Sequence, residues 1–183
     1  MRVDTKLVRE HLVGRILGAA IERLDELPER ARNELEGALR RVTGEDEDRA
    51  PAAMELADRL ALVGYACRTV EVELFEPARQ PIAWLRGELG DNADDAVGMA
   101  SELARAEPER RPDPGEAPSW RIPGPGGHVR HYLALDSIHQ LAPDENGKPG
   151  PPPGVTALEL KRCWMLGFFL RCCEEAGGPS GSG

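Results

Sequence analysis

The stretch TALELKRCWMLGFFLRCCEEA, residues 156–176, decides how this chain folds. It opens with Thr156-Ala157-Leu158-Glu159, a capping box in which the Thr hydroxyl and the Glu carboxylate satisfy each other's backbone donors, so a helix starts here. From Trp164 to Leu170 every residue is apolar or glycine. A helix that is apolar on all sides is buried at the centre of a fold or in a subunit interface. The apolar part, Leu158 to Cys173, also carries Lys161, Arg162 and Arg171. A bilayer span needs about 20 residues with few charges, so this segment predicts a core helix and no membrane insertion.

Working outward, the rest of the chain reads as helices laid around that one. Leu12, Val13, Ile16, Leu17, Ala20, Leu24 and Leu27 recur at helical spacing over residues 5–27, and Pro28 stops them. Leu35, Ala38, Leu39 and Val42 line a second, shorter helix that ends near Gly44. Residues 51–76 form the clearest pattern, with Ala53, Leu56, Leu60, Val63, Cys67 and Leu74 on one face and Thr69 and Glu73 among the residues on the other. From Ile82 to Ala106 a further period appears, which Gly87, Gly90 and Asp91-Asn92 can split in two. Residues 107–127 and 143–154 are rich in proline and glycine and read as long irregular connections. Residues 177–183 read as a flexible tail. Residues 127–142 fit a helix or a strand. The expected fold is all-α: one domain, residues 1–176, a bundle of five or six helices with the C-terminal helix at its centre. Aromatic residues make up only 4% of the 183, which also favours helix packing by Leu, Ala, Val and Ile over a sheet.

Composition excludes several classes of function. The formal net charge is −9, a surface that repels phosphate backbones, so nucleic acid is not an expected partner. The basic residues are 20 Arg and 3 Lys, read as the coding bias of a GC-rich genome. Met1 to Lys6 run straight into an amphipathic pattern without the charged start, apolar run and cleavage site of a signal peptide. Cys67, Cys163, Cys172 and Cys173 all fall in helical patterns and form no disulfide framework. A cytoplasmic location is the expectation. No cofactor motif is present: Pro123-Gly124-Pro125-Gly126-Gly127 lacks the lysine and spacing of a phosphate loop.

The candidate chemistry concentrates in two places. His128, His131 and His139 lie within residues 127–142 beside Tyr132. His128 and His131 stand at i, i+3, less diagnostic of a metal site than the i, i+4 pair, so no metal is expected and the reading is acid/base work. Glu71 falls inside the apolar stripe of the third main helix, between Cys67 and Leu74. A carboxylate facing a core is costly unless paired or protonated, and such groups are over-represented in sites. His128, His131 and Glu71 are therefore the catalytic candidates. Trp120, Tyr132, His139 and Trp164 are candidate ligand walls, and Arg162 or Arg171 could receive a ligand carboxylate or phosphate. The function expected from this set is a small-molecule-binding helical protein doing cofactor-free acid/base chemistry such as isomerisation or cyclisation. The alternative is a non-catalytic homodimer or scaffold paired through the final helix.

Overall fold

Side-chain contacts at helix ends mark the starts of the fourth and last helices and the end of the second. The computed structural model describes residues 15–43, 50–75, 80–89, 91–105, 118, 120, 127–135 and 154–177. Among these lie seven α-helices: α1 (Arg15–Glu22), α2 (Glu29–Val42), α3 (Ala50–Phe75), α4 (Pro81–Leu89), α5 (Asp91–Arg105), α6 (Gly127–Ala134) and α7 (Ala157–Ala176). A single 3-10 turn, Leu24–Glu26, links α1 to α2. The described residues thus form helices and no strand, with one or two more helices than the periodicity predicts. The 82–106 pattern divides at residue 90, and the first pattern breaks at Arg23 into a helix and the 3-10 turn.

The caps explain the boundaries. Thr156 accepts from the Glu159 amide at 3.2 Å while the Glu159 carboxylate accepts from the Thr156 amide at 2.8 Å, the capping box read from sequence. The chain enters it through Gly154 at φ 85°, a conformation that glycine adopts without a Cβ penalty. At the other end of α2, the Thr43 hydroxyl donates to the Leu39 carbonyl at 2.8 Å. α2 also carries Glu29 in its first turn and Arg40 and Arg41 in its last, matching the helix dipole at both ends. The first turn of α4 is capped from outside: the Ile82 amide donates to the Glu73 carboxylate of α3 at 2.8 Å.

α3 and α7 form the axis of the molecule. Their pairing is the largest in the fold, and α7 packs in addition on α1, α2 and α6. α3 touches every other α-helix, so the centre is shared between the two rather than held by the C-terminal helix alone. Two glycines let them approach. A Cβ on Gly64 would stand 1.9 Å from the Trp164 carbonyl oxygen, and one on Gly167 would stand 1.7 Å from the Ala61 carbonyl oxygen. Only residues without a side chain allow backbones this close. Trp164, Phe168, Phe169, Leu60 and Leu17 are buried around the crossing.

Two expectations for α3 fail for one reason. Thr69, placed on the polar face, is fully buried with its hydroxyl donating to the Tyr65 carbonyl at 3.0 Å. Leu74, placed on the apolar face, is 70% exposed. A helix enclosed by six neighbours has no polar side through its middle, and near its end what is enclosed is decided by where those neighbours lie rather than by the face the period marks. No described helix is long and apolar enough to cross a membrane.

Candidate functional site

The junction of α3, α6 and α7 collects charged and aromatic side chains in the interior. Glu71 of α3 and His131 of α6 are 5% and 3% exposed, and His131 Nε2 faces Glu71 Oε1 at 3.1 Å. The approach is one of facing polar atoms rather than an aligned hydrogen bond, because neither Glu71 Oε1 nor His131 Nδ1 has a hydrogen-bond partner among the described residues. The second Glu71 oxygen accepts from Arg68 Nη1 at 3.2 Å. Arg68, also buried, then reaches α7, donating to Glu175 Oε2 from Nε at 2.9 Å and from Nη2 at 2.5 Å. A chain of four ionisable groups therefore runs from α6 through α3 to the end of α7.

Within it the two carboxylates keep Arg68 charged. Burial opposes the Arg68 guanidinium, but Glu175 and Glu71 outweigh it and the Arg68 pKa is raised overall. Arg171 extends the network, with Nε 3.5 Å from Glu175 Oε1 and its guanidinium over the rings of Tyr65 (5.8 Å) and Trp84 (5.7 Å). Tyr65 donates to Glu174, and burial together with that carboxylate pushes its phenol well above the usual range.

Aromatic rings wall the histidine. Trp164 stacks on His131 at 6.5 Å and 23°, and Tyr132 tilts against Trp164 at 6.2 Å. Lys161, buried on α7, lies with Nζ 5.3 Å from the Tyr132 ring centroid. The indole nitrogen of Trp164 has no aligned hydrogen-bond partner among the described residues, although it lies beside the Cys67 thiol. Cys67 itself is held protonated by complete burial.

The structure thus brings together Glu71, His131, Tyr132 and Trp164, four of the residues singled out by sequence, and places Arg171 beyond Arg68 and Glu175 at the far end of the chain of charges. It separates Arg162 and Trp120, which meet elsewhere: both donate to Glu34 Oε2 of α2, Arg162 Nη2 at 3.0 Å and Trp120 Nε1 at 2.9 Å. The side chain of His128 and the whole of His139 lie outside the described residues. Sequence reasoning missed Arg68, Glu175 and Glu34. Arg68 had a signal, standing one helical turn before Glu71, and it is buried with it. Glu175 and Glu34 had none, since their partners are 107 and 128 residues away in the chain.

Among the described residues no group of three or more His, Cys, Asp or Glu side chains is arranged to hold a metal ion. The arrangement can instead position and move a proton. A carboxylate 3.1 Å from one imidazole nitrogen favours the tautomer that keeps its proton there and leaves the lone pair on the other. Comparison of the chain with known protein families, characterised proteins and solved structures finds no match.

Proposed function

We propose that the chain binds a small organic molecule at the α3–α6–α7 junction and moves a proton on it, in cofactor-free chemistry such as isomerisation or cyclisation. The observation that carries this reading is the buried imidazole of His131, faced by Glu71 at one nitrogen and unpartnered among the described residues at the other. Burying such a couple costs stability, and structural packing would be served as well by apolar side chains of the same size. In the proposed chemistry Glu71 and Arg68 orient the ring, His131 Nδ1 takes or returns the proton, and Trp164 and Tyr132 form the apolar walls.

The homodimer reading draws on the exposure of Leu74 and Trp84, at 70% and 49%. Its original motive is weaker, because the apolar circumference of α7 is covered within one chain: Leu160, Trp164, Leu166, Phe168 and Phe169 are all buried.

Native mass spectrometry of the full chain, purified without chelators, tests the proposal. A retained small-molecule mass that disappears in His131→Asn and Tyr132→Ala variants of unchanged helicity supports it. A clean apo monomer that stays apo after exposure to a metabolite extract sinks it, and a clean apo dimer favours the scaffold reading.

A further inference from the structure

We infer that the groove between α2 and α7 is a second binding site, separate from the junction above, for a small molecule bearing a carboxylate or phosphate. The groove has a volume of about 500 Å³, the size of an ordinary metabolite pocket. Its floor is one ridge of α2, residues Glu29, Asn33, Gly37 and Arg41, which stand four apart and so lie in line along the helix. Gly37 keeps the middle of that ridge low, since a Cβ there would meet nothing nearer than Arg41 Nη2 at 3.9 Å. Arg162 of α7 lines the groove as well.

The charges point to an anion. Three guanidinium groups, Arg30, Arg41 and Arg162, line the groove with two carboxylates. One carboxylate is already committed: Glu34 accepts from Arg30 Nε at 3.2 Å, from Arg162 Nη2 and from Trp120 Nε1, so two cations offset its single charge. Arg30 and Arg41 are 70% and 64% exposed; the Arg30–Glu34 pair is of the surface kind that contributes little to stability, whereas Arg41 is held 2.5 Å from the buried carboxylate of Glu159. Turning Arg30 onto a ligand oxyanion therefore loses little, and the five donors of the Arg41 guanidinium let it take a ligand oxygen while keeping Glu159. Arg162 is only 20% exposed and is fixed by Glu34, which pre-orders a guanidinium whose planar fork matches carboxylate and phosphate oxygens. Glu29, at the start of the ridge, has no ion pair among the described residues and opposes an anion, which makes its removal a test of sign.

The experiment is an NMR titration of the full chain, following the backbone amides of Asn33 and Gly37 with citrate and, separately, inorganic phosphate, against sodium chloride at matched ionic strength. Saturable shifts with citrate, phosphate or both, absent with chloride, are expected, and the stronger of the two identifies the ligand's anionic group. Arg41→Gln should weaken binding about 3- to 10-fold and Glu29→Gln should tighten it about 2- to 5-fold, the range of single partly exposed charges. Gly37→Leu should abolish it with the circular dichroism spectrum unchanged. Shifts that track chloride, or equal affinity in the Arg41→Gln, Glu29→Gln and Gly37→Leu variants, would overturn the proposal.

Discussion

Replacing either axial glycine by alanine tests the packing that places the buried network. Alanine is the better helix former by about 1 kcal/mol, so on propensity alone both substitutions stabilise. The geometry predicts the opposite. The added Cβ would stand 1.9 Å from a carbonyl oxygen at position 64 and 1.7 Å at position 167. Both obstacles are backbone atoms, which cannot rotate aside as a side chain does. α3 and α7 must then separate by roughly 1 Å, which forfeits much of the dispersion contact of the atoms that faced each other. Trp164 and Phe168, fully buried at the crossing, lose packing with it. Overpacking of this kind costs about 1–3 kcal/mol and sometimes more, and a rigid backbone obstacle puts Gly64→Ala and Gly167→Ala at about 3 kcal/mol or above. Out of the 5–15 kcal/mol typical of a domain, that is a large share. Urea unfolding followed by circular dichroism reads it directly. With a slope of about 2 kcal/mol/M, the midpoint should fall by about 1.5 M for each variant. The double variant should cost less than the sum, because the first separation makes room for the second methyl. Gly87→Ala and Gly98→Ala supply the control, since a Cβ at either meets nothing within 4 Å and both should raise stability by about 0.5–1 kcal/mol. A Gly64→Ala or Gly167→Ala protein as stable as the wild type would refute the close crossing.

Three further outcomes are expected. Arg68→Met leaves Glu71 buried without its cation, while the half-buried Glu175 keeps Arg171, so it should lower stability by about 3–5 kcal/mol and the melting temperature by on the order of 10 °C in calorimetry; a loss under 1 kcal/mol would mean the network is hydrated and loose. Burial raises the Cys163 thiol to about 12 and the Cys172 thiol to about 12, while unfolded thiols titrate near 8.5. The folded state therefore holds protons that the unfolded state has released, and stability, fully present below about pH 8.5, should fall between there and about 12; the slope approaches about 1.4 kcal/mol per pH unit for each buried thiol, and Cys163→Ala should remove one such share from the measured pH profile. Thr156→Ala removes the capping-box acceptor at the start of α7 and should cost about 1 kcal/mol in urea unfolding, whereas Thr156→Ser should be nearly silent.

The residues of the candidate site show where sequence reading reaches and where it stops. Glu71 was legible as an anomaly because a helix's 3.6-residue period fixes which side chains share a face, and a carboxylate in an apolar stripe breaks that pattern. Trp164 was legible because an all-apolar helix has to be enclosed. His131 and Tyr132 drew notice only by residue type in a segment that fits a helix or a strand, and both are buried. That two adjacent residues go inside follows from α6 lying against α3, α5 and α7 at once, which no local period encodes.

The sequence by itself determined the helical class, the capping box at Thr156, the end of α2 and the enclosure of α7, because caps, proline stops and apolar periodicity act within a few residues of chain. The tertiary structure alone decided that α3 shares the centre, that Leu74 faces outward, and that Glu71 meets His131 while Arg162 and Trp120 meet at Glu34. These depend on which helices cross and how closely. Here that is set by the Gly64–Gly167 crossing, a match between positions 103 residues apart that neither position reveals alone.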